Sequence, residues 1–249
     1  KNGWTYVAWV WDGGDTFSNS AGTNGASHAS SGRANKDAGV SIVSYVGTNQ
    51  NMSLRHGLDV APELIIVKSR DSTQPWVIGS KSDNNWGNYL HFDNTGGGTL
   101  NLVWQNTAPT SQVFTVGQTG GVNATGEDFI AYCFAPSRGF SAIGHYTGNG
   151  STNGNFVYTG FKVKFLMRKN LASQNWLIHD STRDPINPAH EQIYPSNDSS
   201  EYGFTGNQVD LLANGFKIRG TNNGSNDTNG SEQYLYVAFA ENPFKYTRA

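Results

Sequence analysis

An internal repeat constrains this chain more than any other feature. Gly39-Val-Ser-Ile-Val-Ser-Tyr45 reads again as Gly139-Phe-Ser-Ala-Ile-Gly-His145-Tyr146. Leu64-Ile-Ile-Val-Lys68 returns as Lys164-Phe-Leu-Met-Arg168, and Trp76-Val-Ile78 as Trp176-Leu-Ile178; all three blocks share an offset of 100 residues. A fourth block, Phe114-Thr-Val116, returns as Phe216-Lys-Ile218 at an offset of 102. One spacing over separated blocks marks a duplicated structural unit. A fifth motif fixes the unit's end: Phe129-Ile-Ala-Tyr-Cys-Phe134 and Tyr236-Val-Ala-Phe-Ala240 share their texture with Tyr6-Val-Ala-Trp-Val-Trp11. The expected organisation is therefore a repeat over 39–138 and a second over 139–249. Residues 1–11 are expected to be the closing strand of an upstream copy, and 12–38, rich in Gly, Ser and Asn, a linker or long loop. On that reading the chain is the C-terminal part of a longer polypeptide.

Strand signals fill both units. Short runs rich in Val, Ile, Phe, Tyr and Trp, separated by Gly and Asn turns, fall at 40–46, 63–69, 75–79, 88–93, 99–104, 112–116 and 127–135. In the second unit they fall at 140–147, 155–168 with a break near Gly160, 175–179, 208–212, 215–219 and 233–240. No long amphipathic helical period occurs. This pattern predicts an all-β chain of two tandem sandwich-like, jelly-roll-type domains of about a hundred residues each. Leu64 to Val67 is apolar on both faces and belongs at the centre of a sheet.

Charge argues against several function classes. Only 14% of residues are charged and the formal net charge is −2, so nothing draws the chain to nucleic acid phosphates. Lys162, Lys164, Arg168 and Lys169 form the densest basic group and read as a solvated strand face. No apolar run is long enough for a membrane helix. Cys133, the sole cysteine, lies in an apolar run and reads as a buried small hydrophobe rather than a reactive thiol.

Two constellations invite a functional reading. His179-Asp180-Ser-Thr-Arg183-Asp184-Pro185, followed by His190 and Glu191, gathers carboxylates and imidazoles that acid–base chemistry or a metal can use. Its spacing fits no established zinc pattern, and the first repeat has Gly79-Ser80-Lys81 at the equivalent place. A structural loop held by a carboxylate–guanidinium bond comes first, a ligand or partner contact second, catalysis last. Trp86 and Tyr89, among amide side chains in Asn84-Asn-Trp-Gly-Asn-Tyr89, suit a sugar face or else the packed edge of a sandwich. His179, Asp180, Arg183, Asp184, Trp86 and Tyr89 are thus the candidate ligand- or partner-binding residues. No catalytic set and no metal set is assigned, and no cofactor is expected. Calcium at Asp227-Thr-Asn229-Gly230-Ser-Glu232 is the alternative, although the full twelve-residue loop is missing. Asn-x-Ser/Thr sequons at Asn123, Asn226 and elsewhere follow from composition.

At these motifs the chain resembles a domain family of tail-fibre-like proteins from marine and cyanobacterial bacteriophages. The residues that carry the resemblance are His56-Gly-Leu-Asp-Val-Ala-Pro-Glu-Leu-Ile-Ile-Val-Lys68 in the first unit. In the second they are Tyr146-Thr-Gly-Asn-Gly150, Val157-Tyr-Thr-Gly-Phe161, Arg183-Asp-Pro185 and Tyr236-Val-Ala-Phe-Ala-Glu-Asn-Pro-Phe244. The resemblance implies a non-enzymatic structural protein at the virion surface, a fibre or appendage module for attachment to the host. Implied partners are other virion proteins and a host cell-surface glycan, without nucleic acid or membrane insertion, and with homo-oligomerisation as a trimer. A capsid-decorating head fibre and a polysaccharide-degrading tailspike-like enzyme are the alternatives.

Overall fold

The computed structural model describes residues 6–172, 174–227 and 229–242. Among these residues the chain is nearly all β. The first half holds β1 (Asp15–Asn19), β2 (Ser30–Asn35), β3 (Val40–Val46), β4 (Met52–Arg55), β5 (Leu64–Ser69), β6 (Val77–Ser80), β7 (Asn88–His91), β8 (Gly97–Thr99), β9 (Val113–Val116) and β10 (Asp128–Phe134). Two single-turn helices, α1 (Asn101–Trp104) and α2 (Gly120–Asn123), interrupt them. The second half holds β11 (Ser141–Thr147), β12 (Phe156–Tyr158), β13 (Val163–Asn170), β14 (Trp176–Asp180), β15 (Glu191–Gln192), β16 (Tyr202–Gly203), β17 (Val209–Leu212), β18 (Gly215–Ile218) and β19 (Gln233–Ala240).

Eight antiparallel strands make the first sheet in the order β1-β2-β3-β10-β5-β6-β7-β8, with β4 and β9 paired as a separate ribbon. The second sheet, β11-β19-β13-β14, has the order of the central strands β3-β10-β5-β6, and β12-β18-β17 takes the place of the ribbon. Alternation explains how each layer finds its partner. Along β10, Phe129, Ala131 and Cys133 point to one face and are buried against Met52 and Leu54 of β4 and Phe114 and Val116 of β9. Trp86 and Trp104 close this core edge-to-face, with ring centroids 5.6 Å apart. The second core is built alike from Tyr146, Leu166, Tyr234, Tyr236 and Ala238 of the sheet against Val209, Leu211, Phe216 and Ile218.

The opposite faces of the two sheets also pack on each other. Leu64, Ile66, Ile78 and Leu90 from the first sheet meet Ile143, Phe165, Met167, Trp176, Ile178, Leu235, Val237 and Phe239 from the second. This third apolar core joins the halves, and each fully buried aliphatic side chain in it contributes roughly 2 kcal/mol. The Trp176 indole N–H donates to the His91 carbonyl across the junction at 2.7 Å.

Several expectations are corrected by these pairings. Residues 12–38 are not a linker: they contain the β1–β2 hairpin, and β2 pairs with β3 from Ser31↔Ser44 to Asn35↔Val40. Their polarity hid them, because an edge hairpin is held by backbone hydrogen bonds and buries few side chains. Residues 6–11 are not a strand. Val10 is 90% exposed while Trp9 and Trp11 turn into the third core, Trp11 lying 6.4 Å from Phe134 and 5.2 Å from Phe239 between ring centroids. Residues 1–5 lie outside the described residues. The strand expected at 99–104 is β8 followed by α1, where one helical turn places Val103 and Trp104 in the core and ends on Gln105 in the left-handed region.

Candidate functional site

A cleft of about 300 Å³ opens where the β7–β8 hairpin of the first half meets the end of β13 in the second. The chain makes it with an unusual turn. After β6, residues Asn84, Asn85 and Trp86 all take positive φ, at 51°, 46° and 71°. Such angles suit Asn but are uncommon for Trp. The turn directs the Trp86 ring into the first core and leaves Asp83 in the lining of the cleft. Asn88 then braces the hairpin: its amide donates to the Asp83 carboxylate at 2.8 Å, and its carbonyl oxygen accepts from the Thr99 hydroxyl at 2.9 Å.

Lys169 faces this wall from β13. It is 1% exposed, Asp83 is 4% exposed, and both line the cleft. The Lys169 ammonium donates to the Gln174 carbonyl at 2.6 Å. No direct ion pair joins it to Asp83 among the described residues. Burial pushes the Lys169 amine down to about 8, with the Asp83 charge opposing the shift. Burial likewise pushes the Asp83 carboxyl up, opposed first by the Asn88 hydrogen bond and then by Lys169. Tyr89 and the glycines of β8 complete the lining. The arrangement can hold a small polar molecule between a cation and an anion.

Of the six residues singled out in the sequence, only Tyr89 reaches this cleft. Trp86, 2% exposed, is part of the core and cannot stack on a ligand, because the left-handed turn buries its ring. The other four follow one another at the end of β14, which closes on His179 and Asp180, and in the loop beyond it, where Asp180, Arg183 and Asp184 serve as a structural brace. Asp180 accepts backbone N–H groups of Thr182 and Arg183 at 3.1 and 3.0 Å and receives the Arg183 guanidinium at 2.5 Å. Arg183 also reaches Glu201 at 2.5 Å. Asp184 accepts the N–H groups of His190 and Glu191 at 2.7 and 3.0 Å. These carboxylates stitch backbone to backbone.

His179 points the other way, into the second core, beside Arg168. Both are fully buried, and the expected solvated basic face is therefore half wrong: Arg168 and Lys169 are inside. One guanidinium nitrogen of Arg168 donates to the Asn207 carbonyl at 2.9 Å and lies 3.5 Å from the His179 ring. Among the described residues, Arg168 Nε and Nη1, His179 Nε2 and Asn207 Oδ1 make no hydrogen bond of normal geometry, although the Tyr146 phenol lies close enough to feel the guanidinium charge. Burial first, then the Arg168 charge, holds the His179 imidazole well below its ordinary range and therefore neutral.

The Cys133 thiol is buried and pushed up to about 12 by desolvation, an inert environment. Asp227 accepts the N–H groups of Ser231 and Glu232 at 3.2 Å each, while Thr228 of the same segment lies outside the described residues. The sequon residues Asn123 and Asn226 are buried. Each amide pins the loop after β3 or β11: Asn123 accepts from Thr48 at 2.7 Å and Asn226 from Asn149 at 2.6 Å. Among the described residues no cluster of three or more His, Cys, Asp or Glu forms a metal site, and no helix is long and apolar enough to cross a membrane.

Sequence reasoning missed the cleft residues Asp83, Asn88, Thr99 and Lys169. They come from two repeats far apart in the chain, and no local motif joins them. Fold and cleft together define an all-β protein of two fused sandwich-type units with a polar site at their junction. The chain belongs to the family described as Domain of unknown function (DUF7483), whose model matches residues 1–243. No curated protein and no solved structure matches it.

Proposed function

We propose that the chain is a non-enzymatic structural and attachment module of a bacteriophage virion appendage, carried on the particle surface. The observation that carries this reading is the third apolar core. Two units that shared only a linker would swing independently, whereas a buried interface of this kind makes one stiff body. A stiff body presenting uncharged Asn-, Gly- and Thr-rich loops suits a part that must hold shape outside a cell. The resemblance at His56 to Lys68 and at Tyr146 to Gly150 supports the same assignment. So does the use of Asp180 and Asp184 as acceptors of backbone N–H groups, a structural bracing role. A homotrimer is the expected assembly, and a monomer at micromolar concentration in light scattering counts against it.

Immunogold electron microscopy of particles, with an antibody raised against residues 139–249, tests the assignment. Label on tail fibres or their tips is the expected result. Label over the head replaces host attachment by capsid decoration. Particles without label overturn the reading.

A further inference from the structure

We propose that the cleft between the two halves is a saccharide site that takes a single neutral, hydroxyl-rich ring, such as the terminal residue of a glycan. The inference rests on the attachment reading for its biological sense, but its chemistry stands on the cleft alone.

Asp83 and Lys169 are the first argument. Burying an ionisable side chain is costly unless its hydrogen-bonding capacity is used. Here each uses a small part of it. Among the described residues the Asp83 carboxylate accepts one side-chain hydrogen bond, from Asn88, and the Lys169 ammonium donates one, to the Gln174 carbonyl. A carboxylate has about four acceptor positions and an ammonium three donors, so most of the capacity of both is left to whatever fills the cleft they line.

The signs of the two charges narrow the choice of ligand. One cation and one anion line the same small space without forming an ion pair. A charged ligand meets as much repulsion as attraction there. A hydroxyl is the group that suits both, since it accepts from the ammonium and donates to the carboxylate. Two hydroxyls on adjacent ring carbons do this at once.

The walls provide the third argument. β8 is the edge strand of its sheet, so one row of its backbone N–H and C=O groups has no strand partner. Its residues Gly97 and Gly98 bring that backbone to the cleft surface without side chains, and the Thr99 hydroxyl and the Tyr89 ring stand beside it. Polar atoms around a partly aromatic surface match the edge and face of a sugar ring. A volume of about 300 Å³ lies at the small end of ligand pockets and suits one ring with the rest of the glycan outside.

Saturation-transfer NMR on the full chain tests the site, with millimolar methyl α-glucoside, α-galactoside, α-mannoside and N-acetylglucosamine as probes and glycine as the zwitterionic control. Transfer to at least one sugar and none to glycine is expected. Gly98→Leu provides the site-specific variant. A Cβ at Gly98 meets the Tyr89 ring at 3.5–3.7 Å, ordinary contact, and the position is exposed, so the protein keeps its unfolding midpoint while the leucine fills the cleft. The signal should fall about tenfold in Gly98→Leu and again in Lys169→Met. No transfer to any of the four sugars, an unchanged signal in Gly98→Leu, or binding of glycine in their place each overturns the proposal. The two readings fail separately: labelled particles without sugar binding sink the saccharide site alone, and sugar binding without labelled particles sinks the virion assignment alone.

Discussion

His56 is where burial acts most directly on a single side chain. It lies fully buried between β4 and β5, its Nε2 is 3.1 Å from the Thr110 carbonyl, and its Nδ1 accepts the Leu58 N–H at 3.2 Å. That pattern requires the neutral ring with the proton on Nε2. Burial lowers its pKa to about 4. Between about 4 and the ordinary value of about 6.5 the unfolded chain binds a proton that the folded chain does not, so stability rises with pH through that window and is lost on acidification. Acidifying from pH 7 to 4 should remove up to about 3 kcal/mol through His56. Urea titrations at the two pH values check this: His56→Gln should show a shallower loss, and an equal loss in variant and parent rules His56 out as the source. Arg168 makes the opposite point. Its charge is buried and, among the described residues, two of its nitrogens make no hydrogen bond of normal geometry; replacing such a group by an apolar one of similar length is often neutral or stabilising. Arg168→Met should therefore leave the urea midpoint unchanged or raise it by up to about 3 kcal/mol in stability. A lowered midpoint would show that the contacts of the guanidinium with Asn207, His179 and Tyr146 outweigh the cost of burying its charge.

At the scale of elements, register decides which residues correspond. In β5, Leu64 pairs with Phe134 of β10; in β13, Phe165 pairs with Phe239 of β19. The two strands therefore correspond at an offset of 101, one more than the sequence blocks suggest, and a one-residue slip exchanges the two faces of a strand. In that register Arg168 stands where the first half has Val67, and His179, opposite Leu166, where it has Gly79, opposite Ile65. Gly79 leaves room for Trp86 and Trp104, whose ring atoms a Cβ there would meet at 2.5–2.8 Å. The second half fills the same place with a polar pair. The motif His56-Gly57-Leu58 has an equally local cause. Gly57 has a φ of 79°, and a Cβ on it would lie 2.9 Å from the Phe17 ring of β1 and 3.0 Å from Ala34 of β2. Gly57→Ala should cost about 1–3 kcal/mol and loosen the β1–β2 hairpin. Amide hydrogen exchange is the readout, with faster exchange expected at residues 15–19 and 30–35; unchanged exchange there disconnects the glycine from the hairpin.

The whole molecule is organised by like faces. The side chains that β5, β6 and β10 turn away from the first core meet the corresponding side chains of β13, β14 and β19, as the same patch of two subunits meets in a symmetric dimer. Trp176 is fully buried at this junction, 5.5 Å from Phe92 between ring centroids and bonded to His91. One cooperative transition for the entire chain is the expected thermal behaviour. Trp176→Ala should cost about 3–5 kcal/mol by leaving a cavity and an unpaired carbonyl. Calorimetry of that variant should separate the halves into two transitions; a single transition at an unchanged midpoint would show that the third core contributes little. The polar cleft belongs to this scale as well, since neither half alone contains both Asp83 and Lys169.

The all-β character, the strands that alternate or run apolar, and the braced loop around Asp180 and Asp184 are legible in the amino-acid order. Each of those follows from chemistry within a few neighbouring residues: β-branched and aromatic runs, Asx turns, an Arg three residues from an Asp. The remainder depends on contacts between segments distant in the chain. The β1–β2 hairpin has few side chains to bury and is held by backbone bonds to β3, whose position no local pattern gives. Trp86 and Trp104 became core because the chain turned left-handed at Asn84 to Trp86 and helical at Asn101. Whether an apolar outer face meets water, another protein or its own duplicate depends on how two sheets meet. That meeting buried Lys169 beside Asp83 and made the cleft, because burial depends on the sum of all neighbours and a sequence shows only those adjacent in the chain.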